Sequence, residues 1–379
     1  METNVDAERR RFVTEFNTGA WSMTELCERY GISRPTGYKW VARYAQGGEA
    51  SLRDRSRAPA HAPHRTPDAV TRQILAARKR YGWGAGKLLA LLEQRHPEIQ
   101  WPARSTCNDL LARQQLLRRH RRRPHWTHPG GGALTTAQPN QVWPADFKGQ
   151  FRTGDGAYCY PLTVTDHFSR AVLLCRGFRA ITVAETKAGF LGLFRRVGLP
   201  EAIRTDNGMP FASTGLHGLS TLNVWWMQQG IIHQRIRPGA PQENGTHERM
   251  HRELKRETAR PPAATLRGQQ ARFEAFRRRY NDVRPHEALD NHTPSSRWQA
   301  PRRAYRETPP APEYPGHVLV RRVCDRGRIK CHGEHLFLSS GLQGHDVGLE
   351  EVDDGIWNLL FYRTLLGRLD ERTGTLLNG

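Results

Sequence analysis

The chain has 379 residues, a formal net charge of +21 at pH 7 and a pI near 10.5. That length exceeds one ordinary domain, and that charge calls for an anionic partner, of which nucleic acid fits better than a membrane surface. No apolar run reaches the roughly 18 residues of a span, the N-terminus METNVDAERRRF lacks a signal-peptide core, and the scattered cysteines form no CxxC pair, so a reducing, cytoplasmic setting is expected.

The charge is uneven: +12 over residues 1–131, +10 over 132–315 and −1 over 316–379. The first two regions are the expected polyanion contacts. Residues 1–54 read as a helix-turn-helix domain, with TELCERY, a Gly31 turn, and RPTGYKWVARY begun by Ser33 as cap. Leu26, Ile32, Trp40, Val41 and Tyr44 would fill its core, and Arg34, Thr36 and Lys39 would face a major groove. A Pro/Ala/Arg-rich linker follows at 55–67. Residues 68–117 form a second helix-turn-helix domain through KLLALLEQ and STCNDLLARQQLL. The segment 118–139 is a basic linker, in which Arg118, Arg119, Arg121, Arg122 and Arg123 would track phosphates.

From Gln141 the periodicity changes to strands. QVWPADFKGQF, a TGDG turn and AYCYPLTVTDHFSRAVLLCRGF read as three strands, TVAETKAGFLGLFRRVG as a helix, and LPEAIRT as a strand ending at Asp206. LNVWWMQQG is helical, IIHQRIR is a strand, and THERMHRELKRE and LRGQQARFEAFRRRYNDVRP are helices. Strands followed by alternating helix and strand imply an α/β domain with a mixed sheet over 140–300. A Pro-rich linker spans 301–315, and 316–379 reads as a small antiparallel β-barrel. Within it, Cys324, Cys331, His332 and His335 match no common zinc spacing.

Three acids of the middle domain occupy informative places. Asp146 lies in WPADF, Asp206 in RTDNGMPF at a strand end, and Glu248 in the first turn of a helix after PGAPQENG. A parallel pair of strands and a flanking helix can bring all three to one sheet edge. Phosphodiester chemistry with two Mg²⁺ about 4 Å apart requires such hard carboxylate ligands. Asn207 and Gly208 would shape the turn presenting Asp206, and Asn244 and Gly245 the loop before Glu248. Arg252 and Lys255, at i+4 and i+7 from Glu248, would continue the site as a phosphate stripe. Asp155 and Asp166 are taken as turn residues.

WPADF with DHFSR, IRTDNGMPF, PGAPQENGTHERMHRELK and YNDVRPHEALDNHTPSSRW together resemble the integrase-core signatures of DDE transposases of bacterial insertion sequences. Retroviral integrases share that RNase H-like core. The resemblance implies a catalytic and metal-binding triad of Asp146, Asp206 and Glu248, two Mg²⁺ per active site with Mn²⁺ as substitute, and Lys255 as the basic residue after the Glu. Glu243 is nearer the commoner spacing, but Glu248 holds the N-G-x-x-E-R position. The partners implied are double-stranded DNA at element ends and target, and further copies of the chain, with no membrane. The expected activity is cleavage at element ends followed by 3′-OH strand transfer, in a prokaryotic, nucleoid-associated protein. Two rivals are a catalytically inactive DNA-binding regulator and a plain RNase H-type nuclease. Intact acids count against the first and the helix-turn-helix pair against the second.

Overall fold

The computed structural model describes residues 5–54, 65–117, 135–212, 218–237, 245–331 and 334–377. Two compact units divide the chain, Met1–Pro67 and Asp68–Gly379.

The first unit holds α1 (Val5–Asn17), α2 (Met23–Tyr30) and α3 (Arg34–Gly47). Ser22 and Glu25 form a reciprocal capping box on α2, and Gly31 ends it at φ 62°. The close approach of α3 to α2 needs Gly37, where a Cβ would lie 2.7 Å from Cys27 Sγ and Met23 Sδ. Leu26 and Trp40 are buried and Ile32 and Val41 pack beside them, whereas Tyr44 is exposed and leaves the expected core. Ser33 takes the N-cap position of α3, but its hydroxyl meets Thr36 Oγ1 at 2.9 Å rather than a backbone amide.

The second unit opens with α4 (Asp68–Tyr81), α5 (Ala85–Arg95) and α6 (Arg104–Arg113), packed around Ile74, Leu88 and Leu111. The central sheet follows: β1 (Val142–Phe147), β2 (Phe151–Arg152), β3 (Tyr158–Thr165), β4 (Val172–Phe178), β5 (Ala202–Thr205) and β6 (Ile232–Arg235). β4, β3 and β1 pair antiparallel, and β1, β5 and β6 pair parallel, which makes the sheet mixed. The helices are α7 (Val183–Val197), α8 (Thr221–Gln228), α9 (Gly245–Thr258) and α10 (Leu266–Arg278).

The period-2 alternation of β3 explains both cores. Leu162 and Val164 join Phe190, Phe194 and Trp226 of α7 and α8. On the opposite face, Thr163 and Thr165 meet His247 and His251 of α9. Cys159, Cys175, Met250, Leu254 and Phe273 form a further core.

Segment 279–283 ends α10 in a π-turn. There Asn281 pairs with β4 as a strand would, accepting from Val172 N and donating to Val172 O, each at 2.9 Å. Residues 301–307 lie across α7 and α8. Arg303 donates to the carbonyls of Pro200, Gln229 and Gly230, and Tyr305 packs on Phe194 and Trp225.

The C-terminal strands β7 (Leu319–Arg322), β10 (Asp346–Asp353), β11 (Ile356–Phe361), β12 (Thr364–Asp370) and β13 (Thr375–Leu377) make an antiparallel sheet in the order β13-β12-β11-β10-β7, beside the hairpin β8 (Arg328–Cys331) and β9 (Glu334–Phe337). Among the described strands the sheet is not seen to close into a barrel. Its core is shared with Leu219 and with Val224 and Met227 of α8. Among the described residues no helix is long and apolar enough to cross a membrane, and no group of three His, Cys, Asp or Glu gathers as a metal cage. His332 lies outside the described residues.

Candidate active site

Parallel pairing sets the geometry of two of the acids. Val142, Trp143 and Pro144 of β1 stand opposite Ala202, Ile203 and Arg204 of β5, a constant offset of 60 residues. Extended two residues, that register brings Asp146 level with Asp206 at the carboxyl end of adjacent strands, which lie about 4.8 Å apart. Asp206 leads the turn after β5: its Oδ1 accepts from Gly208 N at 3.2 Å, and Asn207 Nδ2 donates to Ile236 O at 3.0 Å, tying the turn to the end of β6. Glu248 stands exposed in the first turn of α9.

The electrostatics register their proximity. The Asp146 carboxyl is pushed up to about 7, first by burial and then by the charge of Asp206, with Glu248 adding to the rise and Lys148 opposing it. A buried carboxyl raised by its acidic neighbours in this way marks a hard-oxygen site of excess negative potential. The arrangement is open rather than a closed cage, which suits a cation that keeps water and substrate phosphate among its ligands. The donor set therefore fits Mg²⁺.

Helix α9 has two faces. Glu248, Arg252 and Lys255 are exposed, whereas His247, Met250, His251, Leu254 and Thr258 are buried. The buried imidazoles belong to a network that sequence reasoning missed. Thr163 Oγ1 donates to the Asp146 carbonyl at 3.1 Å. It therefore accepts from the Nε2 of both His247 (2.7 Å) and His251 (2.6 Å). His247 Nδ1 then accepts from Thr165 Oγ1 at 3.1 Å. Both rings thus carry their proton on Nε2, an assignment that follows from the hydrogen-bond network.

Burial, helped by Lys148, pushes His247 down to about 3 and, with the neighbouring His247 as well, holds His251 lower still. The 3.6 Å approach of His251 Nδ1 to Asp146 Oδ2 is accordingly no ion pair. A neutral imidazole nitrogen thus faces the carboxyl at a distance beyond hydrogen-bond length. The signal available in the sequence was the i, i+4 histidine pair in THERMH flanking Glu248.

Other residues singled out from sequence take different roles. Asp166 is buried and structural: its carboxylate accepts from Asn140 N, Ser169 N and Ser169 Oγ. Asp155 closes the turn between β2 and β3 through Thr153 and Ala157 N. In the first unit Arg34 and Lys39 are exposed on α3 and Thr36 is half-buried. Arg118, Arg119, Arg121, Arg122, Arg123, Glu243 and Asn244 lie outside the described residues, while Gly245 begins α9.

Comparison with known proteins agrees with this architecture. Two integrase core domain profiles match residues 136–241 and 229–294. A helix-turn-helix domain profile matches 8–60, and a homeodomain-like profile 36–111. The chain is 31% identical over 178 residues to the insertion element IS407 uncharacterized 31.7 kDa protein of Burkholderia multivorans, a match covering 46% of this chain and 60% of that one. It is 30% identical over 166 residues to the insertion element IS476 uncharacterized 39.2 kDa protein of Xanthomonas euvesicatoria, covering 43% and 45%. The matches thus span about half the length of these relatives.

Among solved structures, the HTLV-2 integrase catalytic core domain in complex with magnesium aligns over 42% of this chain and 95% of its own, at 19% identity and a TM-score of 0.33. The simian T-cell lymphotropic virus intasome aligns over 77% and 97%, at 17% identity and a TM-score of 0.40.

Proposed function

We propose that this chain, which carries an integrase core domain behind N-terminal helix-turn-helix domains, is a transposase that binds the ends of its mobile element and catalyses Mg²⁺-dependent strand cleavage and 3′-OH strand transfer. The observation that carries the reading is the parallel register setting Asp146 level with Asp206, with Glu248 on helix α9 and the charges of both raising the Asp146 carboxyl. Asp146, Asp206 and Glu248 would hold the metal, two ions per site with Mn²⁺ as substitute. When bound, the ions supply an activated nucleophile and stabilise the leaving oxygen of an in-line displacement on phosphorus.

The protein's own groups do the rest. The Thr163–His251 network braces the Asp146 end of β1 from behind, so that the carboxyl presents to the open side. Arg252 and Lys255, exposed down α9, would hold the flanking phosphates. Arg34, Thr36 and Lys39 of α3 would read the element end, the basic segment 118–123 would track its backbone, and Asn207, Gly208, Asn244 and Gly245 would shape the loops around the acids. The C-terminal strands, read as a small barrel, carry almost no net charge and serve positioning rather than bulk affinity. The working form would be a homo-oligomer on DNA in the bacterial cytoplasm.

The test is a joined-product assay on element-end duplex with Asp146→Asn, Asp206→Asn and Glu248→Gln. Each should lose at least about 10³-fold in nicking and joining while retaining end binding. Glu243→Gln should retain most activity. Wild-type protein that binds ends but never nicks them would identify a DNA-binding regulator instead. Nicking without joining would identify a plain nuclease.

A further inference from the structure

The segment GWGAGK (82–87) starts α5 beside the catalytic domain, and together they enclose a groove of about 460 Å³. Its walls come from α5 and α6 on one side, and from α9 and the segment after α10 on the other. The two sides are fixed to each other. Val283 packs into the core of the helical group, Gln94 Nε2 donates to Asn291 O at 3.3 Å, and the Arg284 guanidinium lies 5.7 Å from the Trp83 ring centre.

The groove is rich in donors. Gly84 caps α5 with no side-chain hydrogen bond, so the first-turn amides have no acceptor within the helix. Arg78 binds the carbonyls of Gly82 and Trp83, at 2.9 and 2.5 Å, and so occupies the loop's acceptors. Gly86 leaves room for the Arg104 guanidinium, whose Nε would lie 3.4 Å from a Cβ there. Trp83 is 4% exposed and lines the groove, and its indole N–H has no partner. Arg284, 7% exposed and also lining it, has an unpartnered Nε.

The cations of the groove, Lys87, Arg104, Arg256 and Arg284, outnumber its two acids, Glu253 and Glu287. Glu253 already accepts from Arg284 (2.7 Å) and Arg256 (2.6 Å) through the same Oε2. Lys87 and Arg104 form no ion pair among the described residues. Lys87 is half-buried, and burial, followed by the charge of Arg284, pulls it below the usual lysine range. A fold that keeps an unpaired cation partly desolvated beside uncapped helix amides presents a site for an anion.

We infer that this groove seats the phosphodiester backbone of the element-end duplex, through Lys87, Arg104, Arg256 and the amides that start α5. The inference rests on the transposase reading and deepens it, because α9 lines both the groove and the active site. Arg256 follows Glu248 by eight positions, or about 12 Å of helix at 1.5 Å per residue. At about 3.4 Å per base pair, the seated phosphate lies roughly three to four base steps from the bond being processed. DNA is favoured over an acidic peptide because the donors are guanidinium, ammonium and backbone N–H groups spread along a trough, the geometry of a repeating phosphate chain.

Full-length protein carrying Lys87→Gln, Arg104→Gln or both is titrated with element-end duplex at several salt concentrations. Arg326→Gln, in a remote exposed turn, controls for bulk charge. Each groove substitution should reduce the slope of log K against log[salt] by about 0.9, and the double variant should bind about tenfold or more weakly at 0.15 M salt. Phosphate-ethylation interference should vanish at one or two phosphates three to four steps inside the joined end. Folding is checked by far-UV circular dichroism and melting, which the substitutions should leave intact. Unchanged slope and interference would overturn the assignment, as would a change in self-association without a change in DNA binding. Failure of the transposase reading looks different, since wild-type protein itself would then neither bind nor join element ends.

Discussion

The raised pKa of Asp146 has a signed consequence. Its value of about 7 lies above the roughly 3.9 of an unfolded aspartate, so the fold disfavours the charged form. The contribution is fully favourable below about pH 4 and is lost as pH rises through 7. Asp146→Asn should therefore stabilise the protein in EDTA at pH 8, by about 2 kcal/mol, and have little effect at pH 4. Melting curves at the two pH values check this, and an equal effect at both would refute it. Mg²⁺ binding, measured calorimetrically in buffers of different ionisation enthalpy, should release a proton near pH 6.5 and little at pH 9.

The hub at Thr163 makes a second prediction at this scale. Thr163→Val keeps the volume but leaves two buried imidazole N–H groups without an acceptor, costing roughly 2–4 kcal/mol. Thr163→Ser, which keeps the oxygen, should lose much less. Urea unfolding of the two variants distinguishes this hydroxyl role from simple packing.

At the scale of elements, much was legible and the reason is periodicity. Strand alternation located β1, β3 and β4, and the 60-residue offset between Asp146 and Asp206 turned out to be the β1–β5 register itself. The buried side of α9 was not legible, because imidazoles at i, i+4 on a basic helix read as solvated until β3 supplies Thr163 and Thr165. The groove was equally hidden, since it exists only where α5 meets residues some 170 to 200 positions later. The YNDVRP segment was visible as a motif but not as architecture. Asn281→Ala should remove both bonds to Val172 and cost about 2 kcal/mol, while leaving the acids untouched. Chemical denaturation should show that loss, and metal titration should show no change in stoichiometry.

Across the molecule, the chain divides at Pro67, so the second helical group belongs to the same compact unit as the α/β domain rather than to the first. The C-terminal sheet is no appendage either. Leu342, Phe361 and Leu366 share a core with Val224 and Met227 of α8. Truncation after residue 315 should uncover that apolar face, lower the melting temperature of the remaining chain by several degrees and promote aggregation. Light scattering and calorimetry of the truncated protein check this. An unaltered, monodisperse melt would show that the shared core adds nothing.

The three acids come from segments spread over 102 residues, from Asp146 to Glu248. During synthesis, at about 5–20 residues per second, some 5–20 s separate the emergence of the first from that of the last. The leading helix-turn-helix unit leaves the ribosome long before the central sheet can accept α9 against β3. On the transposase reading, a nascent chain would thus reach DNA while still unable to cut it. Termination between the first unit and α9 would, on the same reading, yield a DNA binder that competes with the complete protein rather than a stray nuclease, and the order of segments along the gene would itself safeguard the host chromosome.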